Sequence, residues 1–157
     1  MYAHVLVALD GSALAEQILP HVEALGKAFR TKLTLLRATE PPGRVVTETA
    51  GTLPLGVPTS PVLDVTPLME EQRREAAAYL KSIADRLRAQ GLTVEHAQPE
   101  GLPADVLLQH ARDGGADPIA MTTHGRGGLG RLAFGSVADA VLRQAPCPVL
   151  LVRVQEL

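Results

Sequence analysis

A chain of 157 residues, 46% of them hydrophobic, has the length of one domain and enough apolar mass to bury a core. Its 15 basic residues against 17 acidic ones, with 3% aromatics, offer neither the positive footprint nor the stacking surface that nucleic-acid binding needs. The opening MYAHVLVALDGS lacks a basic leader, no segment approaches the roughly 20 apolar residues of a membrane span, and a single cysteine excludes an internal disulfide framework, so a soluble cytoplasmic protein with no membrane partner is expected.

Short apolar runs alternate with longer segments of helical period, the pattern of β-α units in a parallel sheet. His4 to Leu9, Leu33 to Ala38, Leu92 to Ala97, Pro118 to Thr122 and Pro148 to Val154 read as strands, VLVAL and PVLLV being as continuously apolar as buried parallel strands require. The first helix is predicted from Ser12, a residue able to cap, with Leu14, Ile18, Val22, Leu25 and Phe29 on one face and a kink at Pro20. A second helix runs from Pro67 to Gln90 with Ala76, Leu80, Ile83 and Leu87 inward and Gly91 as its stop. The third spans Pro103 to Gly114-Gly115 and the fourth Ser136 to Gln144.

Residues 40 to 67 interrupt the rhythm with six of the 12 prolines and read as a long loop inserted in one domain spanning 1–157. The loop leaves the carboxyl end of the second strand, the side on which open α/β sheets bind ligands, so it is either a plain insertion or a lid.

Between the fourth strand and the fourth helix lies MTTHGRGGLGRLAFGS, Met121 to Ser136. Gly125, Gly127, Gly128 and Gly130 let a backbone approach an anion and turn its N–H groups inward. The helix starting near Ser136 adds its positive end, and Arg126 and Arg131 add mobile charge, so a phosphate is the natural guest. Gly125 to Gly130 also spells G-x-G-x-x-G, but after the wrong strand and with no ribose-binding acid about 20 positions on. Gly130 to Ser136 has P-loop glycine spacing, yet a serine stands where the phosphate-reaching lysine belongs. Neither a dinucleotide site nor a P-loop is therefore read.

With Gly125, nine intervening residues, Gly135 and Ser136, the segment resembles the universal stress protein family, in particular the ATP-binding branch marked by G-x2-G-x9-G-[ST]. VALDGS, GADPIAMTTHGRGG, GSVADAVLR and APCPVLLVR fall in family order. The resemblance implies a Rossmann-like, adenine nucleotide α-hydrolase-like single α/β domain, with a five-stranded parallel sheet of order 3-2-1-4-5 and helices on both faces. It also implies an ATP or related adenine-nucleotide site where strands one and four diverge, and a homodimer formed through the last strand, about 148–154. The site so implied takes in Ala8, Leu9, Asp10, Ala38, Met121, Thr122, Gly125, Arg126, Gly127, Gly128, Gly130, Gly135, Ser136 and Val137. Asp10 would lie by the ribose and phosphates, directly or through Mg2+ or Mn2+, and is equally suited to bonding the next backbone amides of its own turn. Ala38 would lie near the adenine, while Met121 and Val137 would offer backbone contacts. The pattern departs at Thr122, where the family has glycine: a β-branched residue adds volume beside the expected ribose, and its hydroxyl can donate to a ligand.

His4, His21, His96 and His110 are scattered over different elements and read as structural, His124 is a loop histidine within reach of a phosphate, and Cys147, between two prolines, reads as a buried thiol. Since no Ser-His-Asp set or glutamate pair accompanies the loop, efficient hydrolysis is not expected. The function expected is an ATP-binding regulatory module of the stress response, with two alternatives: a slow metal-dependent ATP hydrolase organised by Asp10, and a nucleotide-free interaction protein of the same fold.

Overall fold

The computed structural model describes residues 2–39, 66–124 and 135–154. The stretch expected as a loop over 40–67 lies outside the described residues, except that Thr66 and Pro67 open a helix; the segment Gly125–Gly130 lies outside them as well. In chain order the elements are β1 (His4–Ala8), a 3-10 turn (Ala15–Ile18), α1 (Leu19–Phe29), β2 (Lys32–Leu36), α2 (Thr66–Ala89), β3 (Thr93–Ala97), α3 (Pro103–Asp113), β4 (Ile119–His124), α4 (Ser136–Gln144) and β5 (Val149–Val154). The strands form one sheet of order β3-β2-β1-β4-β5, with every neighbouring pair parallel, as the resemblance implies.

Both faces of this sheet are covered, which is why β1 reads as a continuous apolar run from Val5 to Ala8 and β2 departs from one only at Lys32 and Thr34. On one face Val5, Val7, Leu33 and Leu35 pack with Ile18 and Val22 and with Leu80, Ile83 and Leu87 of α2. On the other, Leu6, Leu36, Ile119 and Met121 pack with Leu107 and Ala111 of α3 and Ala138 and Val141 of α4. The period of two along each strand thus feeds two separate cores through one layer of backbone.

The first helix departs from its sequence expectation. Ser12 does accept a hydrogen bond through Oγ from the Ala15 N–H at 3.0 Å, but the turn it starts is 3-10, and α1 begins only at Leu19. Pro20 therefore falls in the first turn, where a backbone N–H has no intrahelical partner to lose, and no kink is required. The tighter turn also shifts the apolar face. Leu14 is half-buried, and Phe29, 51% exposed, meets Tyr2 edge-on at 5.4 Å between ring centroids instead of entering the core.

His4 ties three elements together, which bears out its structural reading. Its backbone N–H donates to Asp117 Oδ1 at 2.9 Å, and its Nδ1 lies 3.0 Å from the Gly114 carbonyl. A carbonyl only accepts, so Nδ1 carries a proton, while Nε2 shares a hydrogen bond with the Thr34 hydroxyl at 2.8 Å. His110 Nδ1 bonds the Val106 carbonyl within α3, while His21 and His96 are exposed. Cys147 is half-buried against the second core instead of fully enclosed, and burial pushes its thiol pKa up.

The core arrangement predicts that Leu80→Ala, at a fully buried position, lowers unfolding free energy by about 2–5 kcal/mol in urea titration; a loss under about 1 kcal/mol would contradict the packing described. A second expectation concerns acid. Hydrogen bonds from the His4 N–H to Asp117, from Lys81 to Asp85, from Lys32 to Glu95 and from Arg143 to Asp139 hold these carboxyl pKa values down. A depressed pKa contributes stability that is complete above the ordinary carboxylate value and is lost as pH falls through the lowered one, so urea midpoints should be level near neutrality and decline below about pH 4. A midpoint that rises on acidification would contradict this.

Candidate functional site

β1 and β4 are hydrogen-bonding neighbours only at Leu6↔Ile119 and Val7↔Ala120. Beyond that point β1 keeps the pairing with β2 that it has along its whole length, the Leu9 N–H donating to the Leu36 carbonyl at 2.9 Å. β4 instead follows β5 through Met121↔Leu151, Thr122↔Val152 and Thr123↔Arg153. The two strands splay at the place where the sheet order reverses, and a cleft opens at their carboxyl ends. Its volume is about 290 Å3.

The β1 wall ends in a tight turn. Asp10 is exposed at the cleft, and its Oδ1 accepts the Ser12 N–H at 2.8 Å. The turn role expected for Asp10 is thus present, and it leaves Oδ2 with no hydrogen bond or ion pair among the described residues. The opposite wall is built by β4 and the start of α4. Gly135 has φ 84° and ψ 152°, a combination that essentially only glycine tolerates, and it swings the chain into α4. The Asp139 N–H bonds the Gly135 carbonyl at 2.9 Å, so the first-turn N–H groups of Ser136, Val137 and Ala138 have no helical acceptor. All three residues line the cleft. Amides without a helical acceptor and the positive end of a helix make that wall attractive to an anion, whereas Asp10 is the one charged side chain among the described lining residues.

Of the residues that the sequence singles out, Ala8, Leu9, Asp10, Ala38, Met121, Thr122, Gly135, Ser136 and Val137 line this cleft together. Gly125, Arg126, Gly127, Gly128 and Gly130 lie outside the described residues. Thr122 is half-buried on the lining, and its hydroxyl makes no hydrogen bond among the described residues. Sequence reading missed Ala15, Leu36, Pro103, Leu107, Thr123 and Ala138. The last of these was legible as the third residue of α4; Pro103 and Leu107 enter by the docking of α3, which no local signal reveals. Among the described residues no group of three His, Cys, Asp or Glu could hold a metal ion, and no helix is long and apolar enough to cross a membrane.

A doubly wound, open parallel α/β sheet with an anion-attracting cleft at its switch point defines the class. Residues 1–153 match the universal stress protein family model, and the chain belongs to that family. It is 32% identical over 155 residues to a universal stress protein of Thermus aquaticus, covering 98% of this chain and 100% of that one. Among solved structures, a universal stress protein of Arabidopsis thaliana with AMP bound superposes with a TM-score of 0.65 at 16% identity, over 96% of this chain and 91% of that chain. A universal stress protein in complex with cAMP superposes with a TM-score of 0.63 at 24% identity, over 97% of each chain. These structural likenesses bear out the fold.

The backbone at Gly135 yields its own prediction. A Cβ there would meet no atom of the described residues within 4 Å, so Gly135→Ala isolates conformational strain and should destabilise the fold by about 1–3 kcal/mol in urea titration. An unchanged midpoint would show that the entry to α4 does not need glycine.

Proposed function

We propose that the chain binds an adenine nucleotide, ATP in the first instance, in the cleft between β1 and β4, and works as a nucleotide-dependent regulatory module of the stress response. One observation carries this reading: nine residues chosen from the sequence motif and its expected counterparts line one cleft, beside the first-turn amides of α4 that have no helical acceptor. The AMP and cAMP found with structures of the same fold support it. Leu36, Ala38, Leu107 and Met121 supply apolar walls suited to a purine, Asp10 is placed for ribose or phosphate, and Gly125 to Ser136, with Arg126, Gly127, Gly128 and Gly130, would cradle the phosphates. The Thr122 hydroxyl, with no hydrogen bond among the described residues, is offered to the sugar side.

A divalent cation fits this donor set in a limited way. Mg2+ commonly takes one or two carboxylates together with phosphate oxygens and waters, and Asp10 alone meets that protein share. Mg2+ or Mn2+ would then neutralise phosphate charge next to the carboxylate. Slow hydrolysis is the reading favoured if turnover appears with metal and vanishes in Asp10→Ala while binding persists.

The partner we propose is a second copy. β5 forms one edge of the sheet, paired to β4 alone, and Val149, Leu150, Leu151 and Val152 are only half-buried. An apolar edge strand invites pairing, and a β5-to-β5 homodimer would cover it.

The direct test is thermal unfolding with ATP, AMP or cAMP, each with and without Mg2+. A ligand that binds only the folded state raises the midpoint progressively with concentration, and a rise with ATP is expected. No rise at millimolar concentrations with any of the three would overturn the nucleotide reading. For the assembly, light scattering should give twice the mass of one chain and Val152→Lys should give a single mass; a wild-type monomer would remove the dimer.

A further inference from the structure

Arg37, which follows β2 and precedes the cleft residue Ala38, has no role in the sequence reading. Its backbone N–H donates to the Ala97 carbonyl at 3.2 Å, fixing its position beside β3. Its side chain is half-buried and lies between α2 and the Asp10 turn. Cζ stands 5.4 Å from the centroid of the Tyr79 ring. On the other side, a Cβ built on Gly11 would come within 2.8 Å of Cζ and of Nη1. Gly11, at φ 92°, is the residue without a side chain that admits this flat cation against the turn.

Neither surface satisfies the guanidinium. An aromatic face holds a cation by its quadrupole and leaves the N–H edge unused, and Gly11 meets it with its Cα. Among the described residues no carboxylate lies within ion-pair distance of Arg37 and no acceptor bonds its side chain. Arg73, Arg86, Arg88 and Arg143 each have an acidic partner. Among the described residues the buried hydroxyl of Tyr79 has no hydrogen bond in full geometry; Glu16 is the acceptor near it, close enough that, after burial itself, its carboxylate is what most holds the phenol in its neutral form. The pair is therefore held by shape, with donor capacity left over. A cation immobilised in this way has already met the entropic cost of ordering a long side chain.

Its location gives that capacity an object. Gly11 adjoins Asp10 on the cleft wall, and Ala38 lines both the cleft and a polar groove of about 450 Å3 that Arg37 lines together with Thr39, Gln72 and Glu75. A phosphate entering beside Asp10 meets repulsion unless a cation offsets it. Arg37 does not itself line the cleft but the groove that meets it at Ala38. We propose that Arg37 is a ligand-binding residue, a preset guanidinium that donates to a phosphate group which the molecule seated in the cleft extends past Asp10 and Ala38 into that groove. This rests on the nucleotide reading above and adds which side chain reads the charge.

Calorimetric titration of ATP and of adenosine into wild type, Arg37→Met and Arg37→Lys separates a phosphate contact from packing. Methionine keeps the length and apolar bulk and removes the charge. ATP affinity should fall about tenfold or more in Arg37→Met, adenosine affinity should stay within about twofold, and lysine, a point charge without the fork, should recover part of the loss. Equal losses for ATP and adenosine, or no change in their ratio, would overturn the proposal. Arg37→Gln makes the same comparison should Arg37→Met not fold. A wild-type protein that binds neither ligand would instead remove the nucleotide reading itself.

Discussion

The parting of β1 from β4 after Val7 and Ala120 organises this molecule. Up to that pair the two central strands share one ladder; past it, β1 leans on β2 and β4 on β5, and the backbone groups that pairing would have satisfied are left to turns and caps. The Asp10 carboxylate bonding the Ser12 amide answers part of that need in the turn after β1. A cleft at a switch point is thus a consequence of topology before any ligand is considered.

The two-sided core keeps the split sheet rigid. Because successive residues of β1 feed opposite cores, moving the cleft walls apart would disturb Val7 and Leu6 together. The walls differ in character, one carrying the carboxylate and the other the amides of a helix start. Arg37, wedged against Tyr79 from the face opposite α3 and α4, brings positive charge to the acidic side. A ligand with an apolar ring system at one end and an anionic group at the other matches such a site better than a purely apolar or purely charged one.

The strands, α2, α3 and α4 were legible because their cues are local: apolar runs of strand length, proline at helix starts, glycine after helix ends. The start of α1 was misread for a local reason too, since Ser12 does cap a turn, and nothing in Leu14 to Ile18 distinguishes a 3-10 turn from an α-helix. Phe29 was misassigned because the apolar period was carried through that turn unchanged. In the site, Asp10, Thr122, Ser136 and Val137 were found by motif position, a signal in the chain itself. Leu107, Pro103 and Arg37 were not, because their relation to the cleft is made by packing between elements distant in sequence. The contact of Gly11 with Arg37 is the clearest case: the Asp-Gly pair announces a turn, but not what that turn leaves room for.

A nucleotide in the β1/β4 cleft would cover backbone on both of its walls. Hydrogen exchange of the backbone amides, measured with and without saturating ATP, tests it at the level of segments. Added protection is expected at residues 8–12, 119–124 and 135–139, with the helical interior of α2 unchanged. Protection confined to other segments, such as the face of α1 or β5, or no protection under conditions where binding is independently detected, would contradict it.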